Sequence, residues 1–118
     1  LLDMKAANDP LFRTLTGRGM DNTLDILQHC ETTRKPVWIR HVLVPGYTLT
    51  EPHLHELGRL LRDFACIERV ELLPFHKMGE YKWEALGYPY TLTDTQPPEA
   101  AEVARAQEIL TSYGLSVR

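Results

Sequence analysis

Three basic side chains recur at nearly equal spacing along the chain and could bind one charged ligand. Lys5, Arg40 and His76 lie in or directly after apolar runs, 35 and then 36 residues apart. One strand–helix unit takes about 31 residues in parallel barrels, so the three could lie on neighbouring strands around one cavity. Asp3 shares a strand face with Lys5, because alternate side chains of a strand point to the same side. This set predicts a site for an anionic or zwitterionic small molecule.

A purely structural role for the same charges is equally consistent with the sequence. Arg40 interrupts an otherwise apolar run, and a charge in a buried strand is costly unless it is paired or bound to a ligand. Asp3 and Arg40 could therefore form an internal salt bridge that holds two strands in register. The residues alone leave both interpretations open.

The remaining histidines and cysteines give weaker indications of chemistry. His53 and His55 are two residues apart on a predicted helix, so they face different directions, and we expect both to be exposed to solvent. Cys30 and Cys66 have no third cysteine and no C-x2-C spacing, so we expect them to pack in the core. These four side chains predict no metal site.

The elements that must position the charged residues alternate between strands and helices. Strands are predicted by apolar, β-branched runs, over 1–5, 37–44, 70–75 and 115–117. Helices are predicted by 3.6-residue periodicity, over 8–15, from Asn22, from Thr50 to about 64, and over about 98–113. Asn22 and Thr50 are the expected N-caps, and Gly114 the C-terminal stop. This order is typical of β–α–β units on a parallel sheet, where ligands bind beyond the carboxyl ends of the strands.

Length and composition fit a single α/β domain or part of a larger one. The chain has 118 residues, a formal charge of −3 and two cysteines. The acidic balance argues against a nucleic-acid or anionic-membrane partner, and no apolar run approaches the roughly 20 residues of a membrane span. We therefore expect a cytoplasmic protein. An eight-stranded barrel takes about 250 residues, and the chain opens within an apolar run, which favours a piece of a larger barrel.

Several segments resemble, in order, the motifs of one enzyme family. Residues 72–83, LLPFHKMGEYKW, resemble the LLPYHxLGxxKW segment of glycyl-radical-enzyme activating enzymes, and are closest to the branch that activates pyruvate formate-lyase. Residues 2–5, LDMK, resemble the family's LDLK strand, and residues 37–46, VWIRHVLVPG, resemble its WIRxVVVPG strand. Thr16-Gly17 and residues 22–24 resemble the turn and helix after the first strand. The matches cover nearly the whole chain without gaps.

The resemblance implies a radical S-adenosyl-L-methionine enzyme with a partial (β/α)6 barrel of parallel strands. Residues 1–118 would then be the C-terminal half of the barrel domain, without the N-terminal cluster-binding half. In this family a [4Fe-4S] cluster gives one electron to bound S-adenosylmethionine. The resulting 5′-deoxyadenosyl radical takes a hydrogen from a glycine of pyruvate formate-lyase. The implied partners are pyruvate formate-lyase and an electron donor such as reduced flavodoxin.

The resemblance also assigns residues to the ligand site. The positions that match the family's ligand-contacting motifs are Asp3, Met4, Lys5, Arg40, Val42 and His76. Asp3 would face the ligand's ammonium group or a nearby monovalent cation, and Lys5 its ribose or carboxylate. Arg40 would contact the ligand, Val42 would line the pocket, and His76 would lie beside the adenine.

One family motif has no counterpart in this chain. The C-x3-C-x2-C loop that holds the cluster is missing, and Cys30 and Cys66 do not match its positions. Three thiolates are needed to leave one iron open, so the cluster ligands would lie outside this chain. We therefore expect the 118-residue chain alone to be inactive, with an exposed strand edge that favours dimerisation. The alternative is a non-catalytic half barrel that binds a ligand or a partner.

Overall fold

Three parallel strands form the centre of the computed structural model, which describes residues 1–75 and 97–118. The elements follow the chain as β1 (Leu2–Asp3), α1 (Asp9–Thr16), α2 (Asp21–Thr32), β2 (Val37–Leu43), α3 (Glu51–Leu61), β3 (Ile67–Pro74) and α4 (Ala100–Thr111). The sheet order is β1-β2-β3, and both strand pairs are parallel. The predicted alternation of strands and helices is therefore confirmed.

The alternation of side chains along β2 separates a covered sheet face from an open one. Val37, Ile39 and Leu43 are buried among apolar residues of the helices, whereas Trp38 is 41% exposed on the opposite face. Successive side chains of a strand point to opposite sides, so the core lies on one face of this sheet. The other face, called here the open face, carries Arg40.

Local chemistry explains where the helices begin. The side chain of Asn8 accepts a hydrogen bond from the Leu11 amide at 2.9 Å, which caps α1. Thr50 caps α3, as predicted. The predicted cap at Asn22 is wrong, since α2 begins at Asp21 and Met20 precedes it. The Met20 amide instead donates to the Asp9 carboxylate at 2.9 Å, so a side chain from α1 satisfies this helix start.

The C-terminal segment covers the outer edge of β3. The Val70 amide donates to the Ser116 carbonyl at 2.8 Å, and the Arg118 amide donates back to Val70 at 2.9 Å. The predicted strand over 115–117 is reduced to a single parallel bridge between Val70 and Val117. Strand β3 begins at Ile67, three residues before the predicted start, because it continues the ladder with β2 down to Val37.

Candidate functional site

An ion pair joins the first two strands on the open face. Arg40 donates from Nε to Oδ1 of Asp3 at 2.6 Å and from Nη2 to Oδ2 at 3.0 Å. The two residues are partners in the β1–β2 register. The Arg40 guanidinium holds the pKa of the Asp3 carboxyl below its usual range, against the opposing effect of burial. The interstrand salt bridge that the sequence allowed is therefore present.

The charges of the open face continue onto β3. Glu71 is the register partner of Arg40, and Arg69 is that of Trp38. Arg69 forms an ion pair with Glu71, and its guanidinium lies 4.3 Å from the centre of the Trp38 ring. Sequence reasoning missed these residues, although the alternation of charged and apolar residues over 69–72 could have indicated them.

A cleft lies beyond the carboxyl end of β1. Its volume is about 440 Å³, and its walls come from the segment after β1, from α1 and from the start of α2. The polar and charged side chains that line it are Asp3, Lys5, Thr16, Arg18, Asn22 and Thr23. Burial lowers the pKa of the Lys5 ammonium group, and the Asp3 carboxylate opposes that change. The cleft therefore presents both signs of charge to a small molecule.

The other predicted site residues are placed differently. The Met4 side chain is fully buried in the core, so only its backbone is near the cleft, where its amide donates to the Arg40 carbonyl at 2.9 Å. Val42 is half-buried and packs with the apolar cluster of Leu15, Val44 and Phe75. His76 lies outside the described residues. The structure thus brings Asp3, Lys5 and Arg40 together.

Two histidines form a buried pair beneath this edge of the sheet. The rings of His41 and His53 are stacked, with centroids 5.5 Å apart and planes 19° from parallel. His53 is 5% exposed, so the expectation that it faces solvent is wrong. Its ring fills a gap between two loops, where it meets backbone groups of Ala7 and Thr48. His55 is half-buried and contacts the Tyr113 hydroxyl at 2.7 Å, so it is not simply solvated either.

The two cysteines lie at the opposite end of the sheet. Cys66 directly precedes β3 and is buried, and Cys30 packs partly against the same core, as predicted. Burial and the Glu31 carboxylate raise the pKa of the Cys66 thiol. Within residues 1–75 and 97–118, no three His, Cys, Asp or Glu side chains are grouped as a metal ion would require.

Comparison with curated proteins gives one consistent family of relatives. The chain is 37% identical over 117 residues to the pyruvate formate-lyase 1-activating enzyme of Escherichia coli K12, which covers 99% of this chain and 48% of the relative. It is 39% identical over 110 residues to the pyruvate formate-lyase-activating enzyme of Streptococcus mutans, covering 93% of this chain and 42% of that protein. The Staphylococcus aureus USA300 protein of the same name is 35% identical over 114 residues, with coverages of 97% and 45%. No family model matches the chain.

Solved structures support the same fold. A domain of a pyruvate-formate lyase-activating enzyme from Bacteroides vulgatus superposes with a TM-score of 0.78 at 20% identity, covering 98% of this chain and 63% of that one. A radical SAM methyltransferase from Sphaerobacter thermophilus gives a TM-score of 0.70 at 23% identity, covering 98% and 31%. With the parallel sheet, these likenesses confirm the predicted fold class, an α/β part of a partial radical-SAM barrel.

Two further observations concern the length of the chain and its helices. The chain spans about half the length of the curated relatives it matches. In the parts that the structure describes, no helix combines the length and the apolar character needed to cross a membrane.

Proposed function

We propose that this chain, which is homologous to part of the pyruvate formate-lyase activating enzymes, supplies the S-adenosylmethionine-binding side of such an enzyme. The observation that carries the proposal is the Asp3–Arg40 pair beside Lys5 at the carboxyl end of β1. These residues fall on the motifs that resemble the family's ligand-binding strands. In our proposal, residues 1–118 form the C-terminal half of the barrel.

The charges of the site suit a zwitterion that also carries a sulfonium. The Asp3 carboxylate stays ionised because Arg40 lowers its pKa, so it can face the ligand's ammonium group or a monovalent cation. The Lys5 ammonium group lines the same cleft and can bind the ligand's carboxylate or ribose. Arg40 donates two hydrogen bonds to Asp3, and these fix the direction of its guanidinium group. Val42 would line the wall of the pocket, and His76 would contact the adenine.

The residues of this chain do not fit the iron–sulfur cluster that the family uses. A [4Fe-4S] cluster with one open iron needs three thiolates, and the sequence contains two cysteines. Both lie at the amino-terminal end of the sheet, whereas the cleft lies at the carboxyl end of β1. We propose that the cluster ligands lie outside this chain and that the chain alone does not cleave S-adenosylmethionine. No electron-transfer step is assigned to its residues.

The proposed reaction is the activation of pyruvate formate-lyase by formation of a glycyl radical. The names of the curated relatives support pyruvate formate-lyase as the protein substrate. We further propose that a donor such as reduced flavodoxin supplies the electron and that the protein is located in the cytoplasm. The chain's part is to bind S-adenosylmethionine in one orientation, since a rigidly held ligand directs the reactive carbon toward its target.

The proposal is tested by activating pyruvate formate-lyase with the complete, cluster-loaded protein. The glycyl radical is counted by electron paramagnetic resonance after anaerobic incubation with S-adenosylmethionine and a reductant. We expect a radical signal from the unchanged protein and a loss of at least tenfold with Lys5→Ala. Lys35→Ala is the matched control, because Lys35 is exposed at the amino-terminal side of β2. Binding of S-adenosylmethionine without any radical would instead favour a non-catalytic binding module.

A further inference from the structure

The backbone on both sides of Lys5 is held by the buried histidine pair. Nδ1 of His41 lies 2.6 Å from the Met4 carbonyl oxygen, and the Ala7 amide donates to Nε2 of His53 at 2.9 Å. The two rings stack on each other. The pair thus contacts the chain one residue before Lys5 and two residues after it.

The partners of the two rings determine which nitrogen carries the proton. The Ala7 amide can only donate, so Nε2 of His53 must be an acceptor, and the proton of that ring lies on Nδ1, facing the Thr48 carbonyl at 2.9 Å. The Met4 carbonyl can only accept, so the proton of His41 also lies on Nδ1. The contact to Ala7 therefore requires a neutral His53 ring, and burial, which lowers the pKa of His41, keeps the second ring neutral as well.

We propose that His41 and His53 act together as positioning residues that fix the Met4–Ala7 backbone and thereby hold the Lys5 ammonium group in the cleft. The inference rests on the proposed function of the cleft. It adds two residues from β2 and α3 that do not line the cleft and act through Lys5. His53 also joins this segment to the loop after β2 through Thr48, so the loops that follow β1 and β2 are coupled.

The groups around the pair make this positioning sensitive to acid. A second proton on His53 would occupy Nε2 and oppose the Ala7 amide, so that hydrogen bond must break. The charged or titratable groups that act on the two rings are each other, Lys5 beside His41, and Glu56 beside His53. Burial lowers the pKa of both histidines, which keeps the rings neutral at neutral pH. Acid should therefore release the segment.

Two substitutions of His53 separate positioning from simple packing. The amide oxygen of His53→Gln can reach the place of Nε2 and accept from Ala7, whereas His53→Asn can keep only the contact to Thr48. The complete, cluster-loaded protein is titrated with S-adenosylmethionine, and exchange of the Ala7 amide is followed by mass spectrometry or NMR. We expect His53→Asn to weaken binding at least fivefold and to speed Ala7 exchange at least tenfold. His53→Gln should restore most of both.

A pH series adds a readout that packing would not change. Affinity for S-adenosylmethionine in the unchanged protein should fall on acidification below the ordinary histidine pKa of 6.5, and His53→Gln should flatten this fall. Asp3 does not titrate in that range because its pKa is lowered. If His53→Asn fails to fold, His41→Asn and His41→Phe replace it, since the asparagine amide can still donate to Met4 and the phenyl ring cannot.

The outcomes distinguish the inference from the function on which it rests. Equal losses in His53→Asn and His53→Gln, or unchanged affinity in His53→Asn with a faster Ala7 exchange, overturn the positioning role alone. Failure of the unchanged protein to bind S-adenosylmethionine overturns the proposed function and the inference with it. Rescue by glutamine together with a flattened pH profile supports the positioning role.

Discussion

Arg40 on β2 grips Asp3 on β1 through two parallel hydrogen bonds, at 2.6 and 3.0 Å, between residues that are partners in the strand register. The side chains keep 32% and 40% of their surface exposed. Such a pair fixes the direction of the guanidinium although neither side chain is fully buried. A partly exposed ion pair of this kind can orient the Arg40 guanidinium, and it contributes little to the free energy of folding.

The first prediction concerns the stability that this pair provides. Arg40→Ala should lower the free energy of unfolding by about 1 kcal/mol or less, because water screens a half-exposed ion pair. Urea unfolding followed by circular dichroism measures the change, and Arg40→Lys serves as the control that keeps the charge without the two-pronged contact. A loss of more than about 3 kcal/mol would be typical of a buried structural pair and would contradict this view.

The second prediction concerns the dependence of stability on pH. Burial lowers the pKa of His41 from 6.5 to about 4, so the unfolded chain binds a proton in this window before the folded one does. The contribution of neutral His41 to the free energy of unfolding is therefore complete above pH 6.5 and is lost as the pH falls toward 4. For a shift of this size the loss is about 3 kcal/mol. His53 adds a change of the same sign.

Comparison of His41→Asn with the unchanged protein isolates the His41 contribution to that slope. Denaturant unfolding is measured at several pH values between 4 and 7. The variant should show a clearly smaller dependence, since asparagine does not titrate. Identical slopes in the two proteins would show that His41 is not kept neutral by folding.

The third prediction concerns the contact between α3 and the end of α4. A Cβ added to Gly58 would lie within 2.7 Å of the ring carbons Cε2 and Cγ of Tyr113. Gly58→Ala should therefore cost about 1–3 kcal/mol through overpacking, although alanine is the better helix former. Combining it with Tyr113→Ala should remove most of that cost in a double-mutant cycle. Additive effects of the two substitutions would contradict the contact.

The fourth prediction concerns the reactivity of Cys66. The whole residue is 9% exposed, and the pKa of its thiol is raised by burial and by Glu31. In a Cys30→Ser background, iodoacetamide at pH 7.5 should label the native protein at least tenfold more slowly than the urea-unfolded protein. Glu31→Gln should speed the native reaction, because it removes the neighbouring charge. Labelling at the unfolded rate would show that the thiol is accessible and unperturbed.

The sequence was sufficient to predict β2, β3, the parallel order and the meeting of Asp3, Lys5 and Arg40. It overestimated the first strand, which is limited to Leu2–Asp3, and the strand over 115–117. Alternation along a strand determines which side chains lie on the same face of the sheet. A charge repeated once per β–α unit indicates which of them lie on neighbouring strands. The family resemblance was also confirmed by the curated relatives. The assignment of site roles stays a prediction, and His76 lies outside the described residues.

Burial of single polar residues could not be predicted, because it depends on tertiary packing. His53 looks like a surface position on α3, yet two loops place Ala7 and Thr48 against its ring. Met4 differs from His53 in this respect, because alternation along the chain already places its side chain opposite Asp3 and Lys5, and it is fully buried in the core. Asn22 is a residue type that commonly caps helices, but at the start of α2 the Met20 amide donates its hydrogen bond to Asp9 of another helix.

The most direct test of the account is the affinity of the complete, cluster-loaded protein for S-adenosylmethionine, measured by calorimetry. Lys5→Ala and Arg40→Ala should each raise the dissociation constant at least tenfold. Lys35→Ala should leave it unchanged. Arg69→Ala is the matched control on the open face, since Arg69 is also ion-paired but lies two register positions toward the amino-terminal end. Unchanged affinity in both Lys5→Ala and Arg40→Ala would contradict the assignment of this edge as the ligand site.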